Sequence, residues 1–200
     1  FREVSRNSDA YTALQSLDGE YLTVDWLWDS VARLSIGARQ EGNAQDVVTF
    51  NLTNPTQIDG ASAIASDDIL PSLSATWFID DDSQLRAIYA ETVSRPDFRE
   101  LSSSPFIDPL IDTISIGNAD LVPAAVKNLD LRYEYYFSTA EQASVALFAK
   151  EFTTPIERIQ TAGTGDIVTY FNVPEATLYG IEFDVYKSLD ALAEWSWIER

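Results

Sequence analysis

Between Asn128 and Phe137 the chain alternates. Leu129, Leu131, Tyr133, Tyr135 and Phe137 fall on one parity, and Asn128, Asp130, Arg132 and Glu134 fall on the other. A period of two is that of a β-strand, whose successive side chains leave opposite faces. After the polar run 138–142, Val145, Leu147 and Ala149 alternate with Ser144, Ala146, Phe148 and Lys150. Strand, short polar turn and strand predict a hairpin. A soluble sheet also alternates, but it seldom sets an aromatic-rich face against Asp130, Arg132 and Glu134. A strand with lipid on one side and a wet lumen on the other does.

The same pattern recurs along the chain. Leu22, Val24 and Trp26 stand against Tyr21, Thr23 and Asp25; after a turn at 28–30, Ala32, Leu34, Ile36 and Ala38 stand against Arg33, Ser35, Gly37 and Arg39. Val47 to Leu52 either continues this strand beyond a kink at Gly42-Asn43 or forms a hairpin within a loop. Asn54 to Asp68, polar and holding Pro55 and Gly60, predicts a long loop. Ile69 to Ile79 reads as a strand, 80–83 as a turn, and Leu85 to Arg95 as a return strand of mixed parity. Pro96 to Ala125, broken by prolines, predicts the longest loop. Thr154 to Gly165 is irregular and Ile167 to Val173 strand-like. Tyr179, Ile181, Phe183 and Val185 then alternate with Gly180, Glu182, Asp184 and Tyr186, and Leu192 to Ile198 predicts a further strand.

Connections therefore run short, long, short, long. The aromatics Trp26, Trp28, Trp77, Phe78, Tyr135, Tyr136, Phe137 and Tyr186 gather at strand ends beside the short turns. Short turns on one rim, long loops on the other and an aromatic girdle describe an outer-membrane barrel. No window keeps helical spacing for long, and β-branched and aromatic residues dominate the runs. An all-β sandwich is the alternative fold.

Composition narrows the chemistry. With 200 residues, 46% hydrophobic and 22% charged, the chain is one that folds. No run approaches the roughly 20 apolar residues of a membrane helix, so any crossing is made by strands. A net charge of −19 argues against nucleic acid or an anionic surface as partner and favours cations or neutral ligands. With no Cys and no His, this stretch holds no disulfide framework, no thiolate or His-ligated metal and no Ser-His-Asp triad. No cofactor is implied. The chain opens on Phe1 without a signal-like segment and closes on Trp197 to Arg200 within a strand-like run, so it is expected to be an excerpt.

Ser94 to Leu101 (SRPDFREL), Gly117 to Pro123 (GNADLVP), 128–137 (NLDLRYEYYF), Ser144 to Glu157 (SVALFAKEFTTPIE) and Ala176 to Asp184 (ATLYGIEFD) resemble, in order and spacing, consecutive motifs of the TonB-dependent receptor barrel. Departures are mild: Ala119 where Pro is usual, Val122 where Lys is common, and Ala149 where an aromatic is usual. The resemblance implies an all-β, antiparallel up-and-down transmembrane β-barrel, of which residues 1–200 supply a part, about eight strands of about 22. The family's plug domain, its short TonB-contacting segment and its C-terminal strand are expected to lie elsewhere.

The function so implied is energised uptake of a bulky nutrient (an iron chelate, cobalamin or an oligosaccharide) across the outer membrane of a Gram-negative cell. Its partners would be outer-membrane lipid, TonB, the protein's own plug and an extracellular ligand. Arg33, Arg39, Arg132, Glu134, Lys150, Glu182 and Asp184 would face the lumen, either as mutually paired pore lining or as specificity residues. Around Pro96, Arg95, Asp97 and Arg99 suit hydroxyl-rich or anionic ligands, and Phe98 and Phe106 could stack on a sugar or an aromatic chelate. Each has a structural alternative: Arg95-Pro96-Asp97 ends the strand and fastens the loop, and the two phenylalanines pack it. The rival classes are a small outer-membrane barrel acting as adhesin or anchor, a soluble carbohydrate-binding sandwich, and an enzyme using Glu182 and Asp184 as acid and base. The last lacks a nucleophile or oxyanion site nearby.

Overall fold

The computed structural model describes residues 10–108, 113–160 and 167–188. In chain order the elements are β1 (Ala10–Trp28), β2 (Ala32–Phe50), β3 (Ile58–Phe78), β4 (Ser83–Ser94), α1 (Phe98–Leu101), β5 (Phe106–Asp108), β6 (Thr113–Ser115), β7 (Ala124–Ser138), β8 (Glu141–Thr153), β9 (Ile156–Gln160), β10 (Ile167–Asn172) and β11 (Glu175–Tyr186). Seven long strands form one antiparallel sheet in the order β1-β2-β3-β4-β7-β8-β11. The sheet is up-and-down, and among the described residues β1 and β11 are its open edges.

Register places side chains in rows across this sheet. One row runs Trp26, Leu34, Ala75, Ala87, Leu131, Leu147, Ile181; those beside it are Val24, Ile36, Leu73, Tyr89, Leu129, Ala149, Tyr179 and Trp28, Ala32, Trp77, Leu85, Tyr133, Val145, Phe183. All lie on the same face, and most of the large members are bare: Ile181 is 54% exposed, Leu129 56% and Trp26 68%. The opposite face carries the charge and is the more covered one in the middle of the sheet, while Asp25, Arg33 and Asp184 toward its edges stay exposed. Along β7, Asn128, Asp130 and Arg132 are half-buried and Glu134 is buried. A soluble sheet hides its apolar face; this one leaves it bare along its whole width and covers the polar one at its centre, which is the pattern of a sheet made for lipid. Toward the long-loop end the apolar band stops at a cross-strand row of Glu91, Lys127 and Glu151.

Short turns fix the register. Between β1 and β2, Val31 N–H donates to Trp28 C=O at 2.7 Å, with Asp29 at φ 38° and Ser30 at φ 58°. Two left-handed central residues make a type I′ turn, whose twist matches that of the strands it joins. Between β3 and β4, Asp80 accepts from the Ser83 hydroxyl at 2.8 Å and from the Asp82 N–H at 3.0 Å. These two bonds, the Ser83 hydroxyl first, hold the Asp80 carboxyl below its ordinary value of 3.8.

Several expectations change. β2 runs unbroken to Phe50 with no kink at Gly42, and β1 begins at Ala10 to pair with it. Residues 58–68, expected as loop, form the first half of β3 against β2, so the connection is only 51–57. β4 keeps the mixed parity of its sequence: Leu85, Ala87, Tyr89 and Glu91 lie on the apolar-band face, and Gln84, Arg86, Ile88 and Ala90 on the other. Of the aromatics expected as a girdle, Trp26, Trp28, Trp77 and Tyr135 lie on the bare face, whereas Phe78, Tyr136 and Tyr186 lie on the polar one. The long segment after β4 holds a single helical turn and two short strands rather than loop alone. The strand expected at Leu192 to Ile198 lies outside the described residues.

At the long-loop end, β5, β6, β10 and β9 form a second, four-stranded sheet in that order. With α1 it packs onto the polar face of the main sheet: Val47, Leu101 and Leu121 are buried together, and Tyr11, Ala13, Ile64, Phe98, Ile156 and Tyr170 pack around them. This is the main apolar cluster of the described residues. It sits over the long-loop halves of β1 to β3, and Tyr11, Ala13, Val47 and Ile64 are the side chains those halves turn toward it.

Candidate functional site

The segment after β4 is anchored before it offers anything to a ligand. Arg95 donates to Glu41 and to Asp68, both at 2.8 Å, and its side chain is only 12% exposed. A guanidinium spans two carboxylates from neighbouring strands in this way because its donors fork. Asp97 then caps α1, accepting from the Arg99 N–H at 2.9 Å while Glu100 accepts from the Asp97 N–H at 2.9 Å. Phe98 packs on the buried cluster. Gln45 reaches up to Pro96 C=O at 2.9 Å, and Thr49 and Ser102 share a buried hydroxyl bond of 3.0 Å.

Arg99 and Phe106 are placed differently. Both are exposed, and the Arg99 guanidinium lies 4.2 Å from the Phe106 ring centre. They line a cleft of about 240 Å³ together with Asp97, Glu100, Ser115, Arg158 and Tyr170. Of the five loop residues singled out in the sequence, Asp97, Arg99 and Phe106 therefore meet at one cleft, whereas Arg95 and Phe98 point into the scaffold beneath it. Arg158 and Tyr170 were not foreseen, because they come from β9 and β10, far along the chain from Arg99 and Phe106. The cleft brings two guanidinium groups, two aromatic rings and two carboxylates to one place; Asp97 and Glu100 are engaged in the α1 cap, which leaves the guanidinium groups and rings to meet a planar or hydroxyl-rich anion.

A second polar constellation lies on the covered face near the short turns. Arg132 lies 3.1 Å from Glu134 and 3.0 Å from Asp184 and donates to Ser144 at 2.7 Å; Arg86, opposite Arg132, lies 3.5 Å from Glu134. Gln84 also donates to Glu134, and Tyr136 lies 3.1 Å from Gln84. The buried Glu134 thus separates two cations that the register sets side by side. Arg33 pairs with Asp25 at 3.0 Å and Arg39 with Glu41 at 2.5 Å. Lys150 and Glu182 share this face without joining the Glu134 network. All seven residues expected to face a lumen lie on the one face. Arg86 belongs with them, and the mixed parity of its strand hid it. Among the described residues, no three acidic side chains converge so as to hold a metal ion.

The family model described as TonB dependent receptor-like, beta-barrel, matches residues 3–199. No curated protein matches the sequence. Among solved structures, the copper transporter OprC is 21% identical, with a TM-score of 0.66 over 86% of this chain and 26% of its own. The alcaligin outer-membrane receptor FauA from Bordetella pertussis is 18% identical, with a TM-score of 0.61 over 89% of this chain and 28% of its own. The Serratia marcescens hemophore receptor HasR, solved with its hemophore HasA and heme, is 13% identical, with a TM-score of 0.60 over 87% of this chain and 32% of its own. The chain thus spans about a quarter to a third of the length of these structures.

Proposed function

The chain belongs to the TonB-dependent receptor family, within its outer-membrane β-barrel, and on that premise we propose that the protein takes up a bulky nutrient across the outer membrane. The loop cleft meets the solute, the polar face lines the passage and meets a plug, and the bare apolar band meets lipid. Energy comes through TonB, and no bond in the solute is broken. The observation that carries this reading is the two-faced sheet, apolar side bare and charged side partly covered, with a cleft of two guanidinium groups, two carboxylates and two aromatic rings on the long-loop rim.

The solute class rests on the cleft alone, since the likeness to copper, alcaligin and heme proteins bears on fold. Arg99 and Arg158 attract an anion, and Phe106 and Tyr170 offer faces to a planar or sugar-like body. An iron chelate with carboxylate or phenolate groups, or an acidic oligosaccharide, fits that chemistry; cobalamin fits it less well. The test is uptake by cells carrying variants of the intact receptor. Arg99→Ala and Phe106→Ala should each lower uptake about tenfold, the worth of one charged or stacking contact, with receptor levels in the membrane unchanged. Arg95→Ala should instead lower the amount of receptor, because it leaves Glu41 and Asp68 without their shared cation. Loss of receptor in the Arg99 and Phe106 variants, or unaltered uptake, would overturn the assignment of the cleft.

A further inference from the structure

Two loops far apart in sequence build the cleft, and their contact is short. Arg99 and Phe106 belong to the segment after β4, while Arg158 and Tyr170 belong to the segment after β8. Among the described residues the parallel ladder between β6 and β10 has two residue pairs, Ile114 with Ile167 and Ser115 with Val168. Ile116 N–H extends it to Val168 C=O at 3.0 Å, and side chains add further bonds along the seam. The Asn172 amide accepts from the Val122 N–H at 2.9 Å and donates to the Val122 C=O at 2.9 Å, and it also donates to Thr154 C=O at 2.7 Å. Asn118 donates to Tyr170 C=O at 3.0 Å, and its own N–H is held by Glu100 C=O at 2.6 Å. The Thr154 hydroxyl reaches Pro123 C=O at 3.1 Å.

An Asn amide carries a donor and an acceptor side by side, as a peptide group does, so Asn172 continues the ladder where β10 ends. Asp lacks the donor and Gln is too long. Beneath Asn118, Gly117 lies against the carbonyls at the end of α1, where an added Cβ would stand 2.5 Å from Arg99 O and 2.6 Å from Glu100 O. No larger residue fits without moving α1, which carries Arg99. The GNADLVP motif is thus a seat for α1 on one side and for β10 on the other.

We propose that Asn172, assisted by Asn118, is the positioning residue of the cleft: it clasps the second loop to the first, so that Arg158 and Tyr170 confront Arg99 and Phe106 across one ligand. This rests on the cleft reading above, but the clasp itself has a readout that needs no ligand. Without the clasp the short ladder and the apolar contact of Ile156 and Tyr170 with the Leu101 cluster still join the loops, but nothing fixes the end of β10 against Val122, and the cleft's halves lose their fixed spacing.

The experiment uses the intact receptor in lipid bilayers, any other cysteines removed. Spin labels go on Ile107→Cys and Ile159→Cys, exposed positions in β5 and β9, one on each loop. The wild-type background should give one narrow distance distribution, and Asn172→Ala and Asn172→Asp a broader one. In unlabelled protein, salicylate serves as an aromatic carboxylate probe. Its affinity should fall about tenfold in Asn172→Ala, the worth of one or two hydrogen bonds. A disulfide between Ile114→Cys and Ile167→Cys should restore it on oxidation and release it on reduction. An unchanged distance distribution overturns the proposal. So does a broadened one with unchanged affinity, or an affinity loss that the disulfide does not repair. If the wild type fails to bind salicylate while Asn172→Ala still broadens the distances, the ligand reading falls and the clasp stands.

Discussion

Placing a charge at Leu131 tests the membrane-facing reading quantitatively. Leu131 stands in the middle of the three apolar rows, between Ala87 on β4 and Leu147 on β8, and its side chain is 41% exposed. If that face meets hydrocarbon, Leu131→Arg sets a guanidinium near the bilayer midplane at a cost of about 2–4 kcal/mol. Ala125, on the same strand and face, lies beyond the row of Glu91, Lys127 and Glu151. Ala125→Arg should cost only about 0–1 kcal/mol, as near the interface. The difference, about 1–4 kcal/mol, corresponds to a factor of about five to a thousand in the folding equilibrium. Guanidinium titration of the receptor's folding into phosphocholine vesicles, followed by tryptophan fluorescence, reads both variants. Equal costs at the two positions, or a cost below about 0.5 kcal/mol at Leu131, would refute a depth-dependent apolar surround.

Ser30 holds a left-handed backbone that glycine adopts freely, so Ser30→Gly should raise stability by about 1 kcal/mol in the same titration; an unchanged or lowered midpoint would count against the turn geometry. At Gly180 an added Cβ would stand 2.6 Å from the Phe148 ring, which lies over the glycine from the next strand. Gly180→Ala should therefore cost about 1–2 kcal/mol in the native background and little in a Phe148→Ala background. Equal costs in the two backgrounds would show that the ring and the glycine are not coupled.

Much of the main sheet was legible because its two faces meet different media. Leu129 to Tyr135, Leu22 to Trp26, Ala32 to Ile36 and Tyr179 to Val185 alternate without exception, and a period of two written in aromatic and charged residues has few other meanings. The first half of β3 was not legible. Its sequence from Ile58 is small and polar, with weak strand propensity, and it forms a strand because β2 offers it an edge and the packed loops cover its other face. The helical turn α1 did carry a local signal, Asp97 followed three residues later by Glu100, too short to outweigh the prolines around it. Arg158 and Tyr170 could not be found from local pattern. Their meeting with Arg99 depends on a parallel contact between Ile114 and Ile167, about fifty residues apart, and on two asparagines that read as ordinary loop polarity.

The most direct measurement is accessibility of nitroxide labels placed singly along β11, from Leu178 to Asp184, in the intact receptor in bilayers. Labels at Tyr179, Ile181 and Phe183 should collide with oxygen dissolved in lipid and be shielded from a water-soluble nickel complex, while those at Gly180, Glu182 and Asp184 should show the reverse. Nickel access at Ile181 equal to that at Glu182 would contradict the claim that this sheet turns its apolar face to a membrane.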